Sequence, residues 1–131
     1  MTGLDTNVLV RYVMQDDPRQ SPRATSLIGS LSAEEPGFVP VVVLVELVWV
    51  LSGSYGLDRA QVTTVLSTLL RSKELVVDRA ELVTQALERY SASGADFAGA
   101  LIEHMAASAG CAATMTFDAG AVKAAGMTLA R

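Results

Sequence analysis

The apolar positions of this chain switch between a helical and an extended period from one segment to the next. Between Asp58 and Ser72 they fall at Val62, Val65, Leu66, Leu69 and Leu70, one stripe of an amphipathic helix. Asp58 is placed to cap its start. "TNVLVRYVMQ" predicts a helix from Thr6 behind a short opening strand, "MTGLD", that ends at Asp5. "DDPRQ" reads as a turn, and "SPRATSLIGSL" as a second helix with Pro22 tolerated in its first turn. After the break "SAEEPG", "FVP" predicts a short buried strand ending near Pro40.

The run from Val41 to Leu51 is the hardest to place, because valine favours strands and a continuous apolar run also suits a buried helix. Its length exceeds a typical strand of about 5 to 6 residues, and "SGSYG" follows as a terminator, so a helix is expected. "ELVVD" predicts a strand, and "RAELVTQALERYSASG" an amphipathic helix closed by Gly94. "ADFAGALIEHMAASAG" predicts a helix from about Asp96 to Gly110. "AATMTFD" is a strand delivering Asp118, and "AGAVKAAG" and "MTLA" give a last helix and strand. This alternation implies an α/β fold with a parallel sheet covered by helices on both faces. Neither a linker nor a repeat divides the 131 residues, so a single domain over 1–131 is expected.

Composition narrows the function classes. Half the residues are hydrophobic and 18% are charged, which excludes a disordered chain. The uncharged runs, such as Pro36 to Val45 and Met105 to Phe117, fall short of the roughly 20 residues of a membrane helix. The first residues show no basic stretch leading into an apolar one, so no secretory signal is expected and a cytoplasmic location follows. Cys111 has no partner for a disulfide and no second ligand at zinc spacing, and is expected to be a small buried hydrophobe. A single histidine, His104, excludes any scheme that needs two, and is expected on a helix surface. The net charge of −4 opposes general electrostatic attraction of nucleic acid, so a nucleic-acid substrate requires local basic residues or a metal.

Four acids carry the candidate chemistry. In open α/β sheets the site lies outside the carboxyl ends of the strands, where Asp5 and Asp118 are expected on the same sheet edge. Asp96 begins a helix, and Glu46 is the one carboxylate within "VPVVVLVELVWVL". Four carboxylates brought close together need a counter-charge. A divalent cation with hard oxygen ligands supplies it, and the chemistry this suits is metal-dependent phosphodiester hydrolysis.

"LDTNVLVRYVMQDDP", the lone glutamate of "VVLVELVWVL", "GADFAGALI" and "TFD" together resemble the PIN-domain ribonucleases, in particular the VapC-type toxins of toxin-antitoxin pairs. The resemblance spans nearly the whole chain. It implies a three-layer α/β/α sandwich with a central parallel sheet, and an endoribonuclease dependent on Mg²⁺, with Mn²⁺ the other candidate. It also implies a homodimer, and a small antitoxin that blocks the site. By position it implies Asp5, Glu46, Asp96 and Asp118 as metal-binding catalytic residues. One departure stands out: Gly99 occupies the place of a further acid, three residues on from Asp96 and so on the same helix face. A mid-helix glycine costs about 1 kcal/mol relative to alanine, so folding does not explain it.

Thr6, Asn7 and Thr116 are expected to support the carboxylates, Thr6 and Asn7 being equally good helix-start residues. Asp16 and Asp17 read as turn formers, Glu34 and Glu35 as solvated loop charges, and Trp49 as core or dimer packing. Arg11, Arg19, Arg23 and Arg89 are candidates for an RNA path or plain surface charges. Two readings stay open beside the ribonuclease. One is a weakened or inactive domain, blunted at Gly99, that binds antitoxin or RNA. The other is a receiver-type phospho-acceptor, which fits poorly because Asp5 lacks a paired acid and Lys123 is misplaced for it.

Overall fold

A computed structural model describes all residues from Met1 to Arg131. The chain falls into two compact units, Met1–Ala80 and Glu81–Arg131.

The first unit is built on three parallel strands, β1 (Thr2–Gly3), β2 (Gly37–Val39) and β3 (Leu75–Val77), with β2 in the centre. Gly37 lies opposite Thr2 on one side and Leu75 on the other. The pairing continues beyond the strands through Leu4 N–H to Phe38 C=O at 2.9 Å and Asp78 N–H to Val39 C=O at 2.9 Å. A side chain at Gly37 would meet Leu4 and Leu31 methyls at 2.8 Å, so the central strand begins where no Cβ fits without repacking. Between β1 and β2 run α1 (Thr6–Met14) and α2 (Gln20–Gly29); between β2 and β3 run α3 (Val41–Trp49) and α4 (Arg59–Arg71). Leu9, Val39, Leu44, Leu47, Leu51, Val62 and Leu66 form the buried interior.

The ambiguous valine run is a helix, as its length predicts, and it widens at Val50–Ser54 into one π-helical turn. Such turns are rare inserts in α-helices, and this one carries Tyr55 out of the helix. The hydroxyl of Tyr55 donates to Asp16 at 2.6 Å, while Arg11 donates to Asp16, to Tyr55 (both at 3.3 Å) and to Gln20 at 2.8 Å. Asp16 is therefore more than a turn former: it ties the π-turn to the α1–α2 connection. Asp17 keeps the expected turn role, accepting from the backbone of Arg19 and Gln20. Asp58 caps α4 in a reciprocal capping box with Gln61.

The second unit begins with α5 (Ala80–Ser93), whose first residue closes the preceding unit, and continues with α6 (Phe97–Ser108) and α7 (Ala119–Ala125). Its two strands, β4 (Met115–Thr116) and β5 (Thr128–Leu129), pair with each other in parallel. The parallel pairing expected from the order of elements is thus observed, but distributed over two sheets. Val83, Leu87, Tyr90, Phe97 and Leu101 are buried, with Tyr90 and Phe97 in an edge-to-face contact at 6.2 Å. Gly126 ends α7 at φ 76°, a left-handed conformation that glycine adopts without a Cβ penalty. No helix is long and apolar enough to cross a membrane.

Candidate active site

In the first unit the acid at the end of β1 is a helix cap. Asp5 is extended (φ −83°, ψ 160°) and its Oδ1 accepts the backbone N–H of Thr6 at 2.8 Å, opening α1. The next residue, Thr6, is buried and turns its hydroxyl to Oε1 of Glu46 at 2.7 Å, across 40 residues of sequence. That bond explains the acid in the apolar run. Helix α3 is not buried all round: Val42 and Trp49 are 62% and 63% exposed, and Glu46 lies with them on the exposed face. Glu46 is therefore solvated and held in one orientation by Thr6, avoiding the cost of an unpaired buried carboxylate. Trp49 is correspondingly not core, because the helical period turns it outward with Glu46. Asn7 is exposed and lines a cavity of about 250 Å³ with Arg11, Gln20 and Arg23.

In the second unit, Asp96 and Asp118 line one cavity of about 610 Å³, together with Gly99, Gly120 and Lys123. Both aspartates cap helices. Asp96 accepts the backbone N–H of Gly99 at 3.2 Å at the start of α6, and Asp118 that of Gly120 at 2.8 Å at the start of α7. The hydroxyl oxygen of Thr116 accepts the backbone N–H of Asp118 at 3.0 Å, so Thr116 fixes the turn that presents the acid. In each aspartate one carboxylate oxygen accepts the helix N–H. Gly99 sits in the first turn of α6 rather than mid-helix, and its N–H is the one Asp96 binds. A Cβ there would meet Asp96 and Met127 at 3.8 to 3.9 Å, ordinary contact, so packing does not demand glycine.

The donor chemistry fits a hard divalent cation, since Mg²⁺ is commonly bound through one or two carboxylates plus water and substrate phosphate. Asp96 and Asp118 on one cavity meet that number. No group of three or more His, Cys, Asp or Glu side chains is gathered so as to hold a metal. Lys123 and Gly120 on this cavity are absent from the sequence-derived candidates, and nothing in their spacing distinguishes them from other residues of a short surface helix. Other expectations change as well. Cys111 is exposed rather than buried, because it lies in the irregular segment beyond the end of α6 at Ser108. Arg89 is engaged inside the second unit, donating to Ala124 C=O at 3.2 Å and steadying the end of α7. Glu35 stays the solvated loop charge expected of it, 81% exposed, with the terminal amine of Met1 at 3.4 Å. His104 is a partly covered helix residue, with Nδ1 2.8 Å from Ala100 C=O and 3.4 Å from Glu103.

The second unit thus brings two helix-capping aspartates, Asp96 and Asp118, to the wall of one cavity. The model of the PIN domain family matches residues 4–127, and the chain belongs to that family. PIN domains are a nuclease family whose members generally use a divalent metal. No curated protein matches the chain by sequence.

Proposed function

We propose that this chain is a Mg²⁺-dependent endoribonuclease, with Mn²⁺ as the other cation its oxygen ligands suit, and the toxin of a toxin-antitoxin pair. The observation that carries the reading is the pair Asp96 and Asp118, each anchored by a backbone N–H and each on the wall of the same cavity. These two residues would hold the cation, and Asp5 and Glu46 are the further acids assigned to metal binding. Bound Mg²⁺ supplies Lewis-acid stabilisation of phosphate charge and lowers the pKa of water. Thr6 orients Glu46, and Thr116 orients the Asp118 turn. The ammonium of Lys123, on the same cavity, offsets negative charge brought in by a phosphate. The proposal includes a cytoplasmic location, a homodimer, and a small antitoxin as inhibitor.

Gly99 favours a second reading, a weakened or inactive domain that binds RNA or antitoxin without turnover. RNA cleavage in Mg²⁺, with a chelator control, separates the two when measured for the wild type, Asp5→Ala and Gly99→Asp. Cleavage by the wild type that Asp5→Ala abolishes supports the enzyme. Cleavage by Gly99→Asp alone assigns this chain to binding.

A further inference from the structure

The 250 Å³ cavity between α1 and α2 is lined mostly by apolar surface, but at its edge stand hydrogen-bond donors that the acids of the first unit do not explain. Its polar wall is Asn7, Arg11, Gln20 and Arg23, and its apolar floor includes Val8 and Leu27. Arg11 is fixed before any ligand arrives: Nε donates to Gln20 Oε1, and Nη1 reaches Asp16 and Tyr55. Those bonds leave Nη2 unused, and they engage the amide oxygen of Gln20 so that its NH₂ group remains as a donor. Asp16 balances one of the two cations, and Asp17 is turned to the backbone of Arg19 and Gln20. Arg23 is exposed and carries its charge with no bond or ion pair of its own. One uncompensated guanidinium and one locked guanidinium on the same cavity suit an oxyanion, and guanidinium is the side chain best matched to phosphate.

We infer that this cavity is a phosphate subsite, holding a backbone phosphodiester of the RNA strand against Arg23, Arg11 and Asn7. The inference rests on the reading of the chain as an RNA-cleaving enzyme. Asn7 lies two residues from Asp5 at the start of the same helix. It also meets a requirement that the net charge of −4 imposes, since an acidic protein binds a polyanion only where cations are concentrated locally.

The test is binding of a fluorescein-labelled single-stranded oligoribonucleotide, followed by anisotropy in chelator across a salt series. Wild type, Arg23→Ala, and Arg71→Ala as a control on an exposed arginine of α4 are compared. Arg23→Ala is expected to weaken binding roughly two- to fivefold, the worth of an exposed charge pair. It should also lower the slope of log affinity against log salt by about 0.7, the value for one phosphate contact on a single strand. Arg71→Ala should change neither. Inorganic phosphate should compete more weakly than unlabelled RNA, as a single oxyanion without the neighbouring contacts of a strand. Equal binding by wild type and Arg23→Ala, or no binding by wild type, overturns the subsite. So does displacement of RNA by a poly-glutamate peptide at equal charge, which would assign the cavity to an acidic protein partner. A wild type that cleaves RNA while Arg23→Ala binds normally removes the subsite alone, whereas absent cleavage with an intact Arg23 effect removes only the enzyme reading.

Discussion

Asp96 has two possible duties, capping a helix and holding a cation, and a single atom exchange separates them. Asn is as good an N-cap as Asp, because its amide oxygen accepts the same backbone N–H. Asp96→Asn should therefore keep the bond now made at 3.2 Å to Gly99 N–H, while removing the negative charge. Asp96→Ala removes both. The cap is worth about 1 kcal/mol, which for a chain of this size lowers the melting temperature by roughly 3 to 5 °C. Asp96→Asn should melt within about 2 °C of wild type, a few tenths of a kcal/mol at this size. The metal response should not follow that order. Saturating Mn²⁺ stabilises a protein that binds it by about 2.7 kcal/mol at 100 times the dissociation constant, and both variants should lose this increment alike. RNA cleavage should fall in both by more than the roughly 10- to 100-fold that even an outer-shell partner of a metal is worth. Thermal melts with and without Mn²⁺, alongside a cleavage assay, give all these quantities. An Asn variant that cleaves and responds to Mn²⁺ like wild type would refute the reasoning and leave Asp96 as a cap only.

Gly99→Asp should fold, since its Cβ meets only ordinary contacts and an acid in the first turn of α6 favours the helix dipole; its Mn²⁺-induced rise in melting temperature should exceed that of wild type, and an equal or smaller rise counts against a missing ligand at this position. Thr6→Val should reduce cleavage by freeing Glu46, with Thr6→Ser retaining it; equal activity in both denies Thr6 its orienting role. The hydroxyl of Tyr55, then a backbone N–H of Asp16 itself and after it Arg11, hold Asp16 below the usual carboxylate range near 3.8, so this group stabilises the fold above that pH and the gain is lost as pH falls through its lowered pKa. The same bond raises Tyr55 above its ordinary 10.0, a contribution lost as pH rises through the raised value. Tyr55→Phe should flatten both limbs of a stability-versus-pH curve, and unchanged limbs would show that the contact carries no linkage. Gly37→Val should cost about 1 to 3 kcal/mol by forcing Leu4, Leu31 and Leu75 to repack, as read by urea unfolding.

Local signals were enough for the elements themselves. Alternation of strand and helix periods, Asp58 as a cap, Gly94 and Gly126 near helix ends, and the length of the valine run all act within a few residues, and the structure bears each of them out. The candidate acids were legible for a similar reason: an aspartate at a strand's end that also opens a helix is marked by its neighbours. What such signals do not carry is which face of an element meets the interior. The apolar run from Val41 looks buried on every side, yet its period leaves Val42, Glu46 and Trp49 in solvent, and only the packing of α3 decides that. Cys111 was misplaced likewise, because small residues near a helix end say nothing of what covers them.

By itself, then, the order of residues determined an α/β chain with parallel strands, the start of each helix, and which carboxylates stand at those starts. Those properties depend on backbone propensity, capping and periodicity, all short in range. Tertiary structure alone decided that Thr6 holds Glu46 across 40 residues, that Tyr55 and Arg11 meet at Asp16, and that Asp96 and Asp118 share a cavity with Lys123. Each of those pairings joins groups distant in sequence, and no local period records a distance that only the folded packing sets.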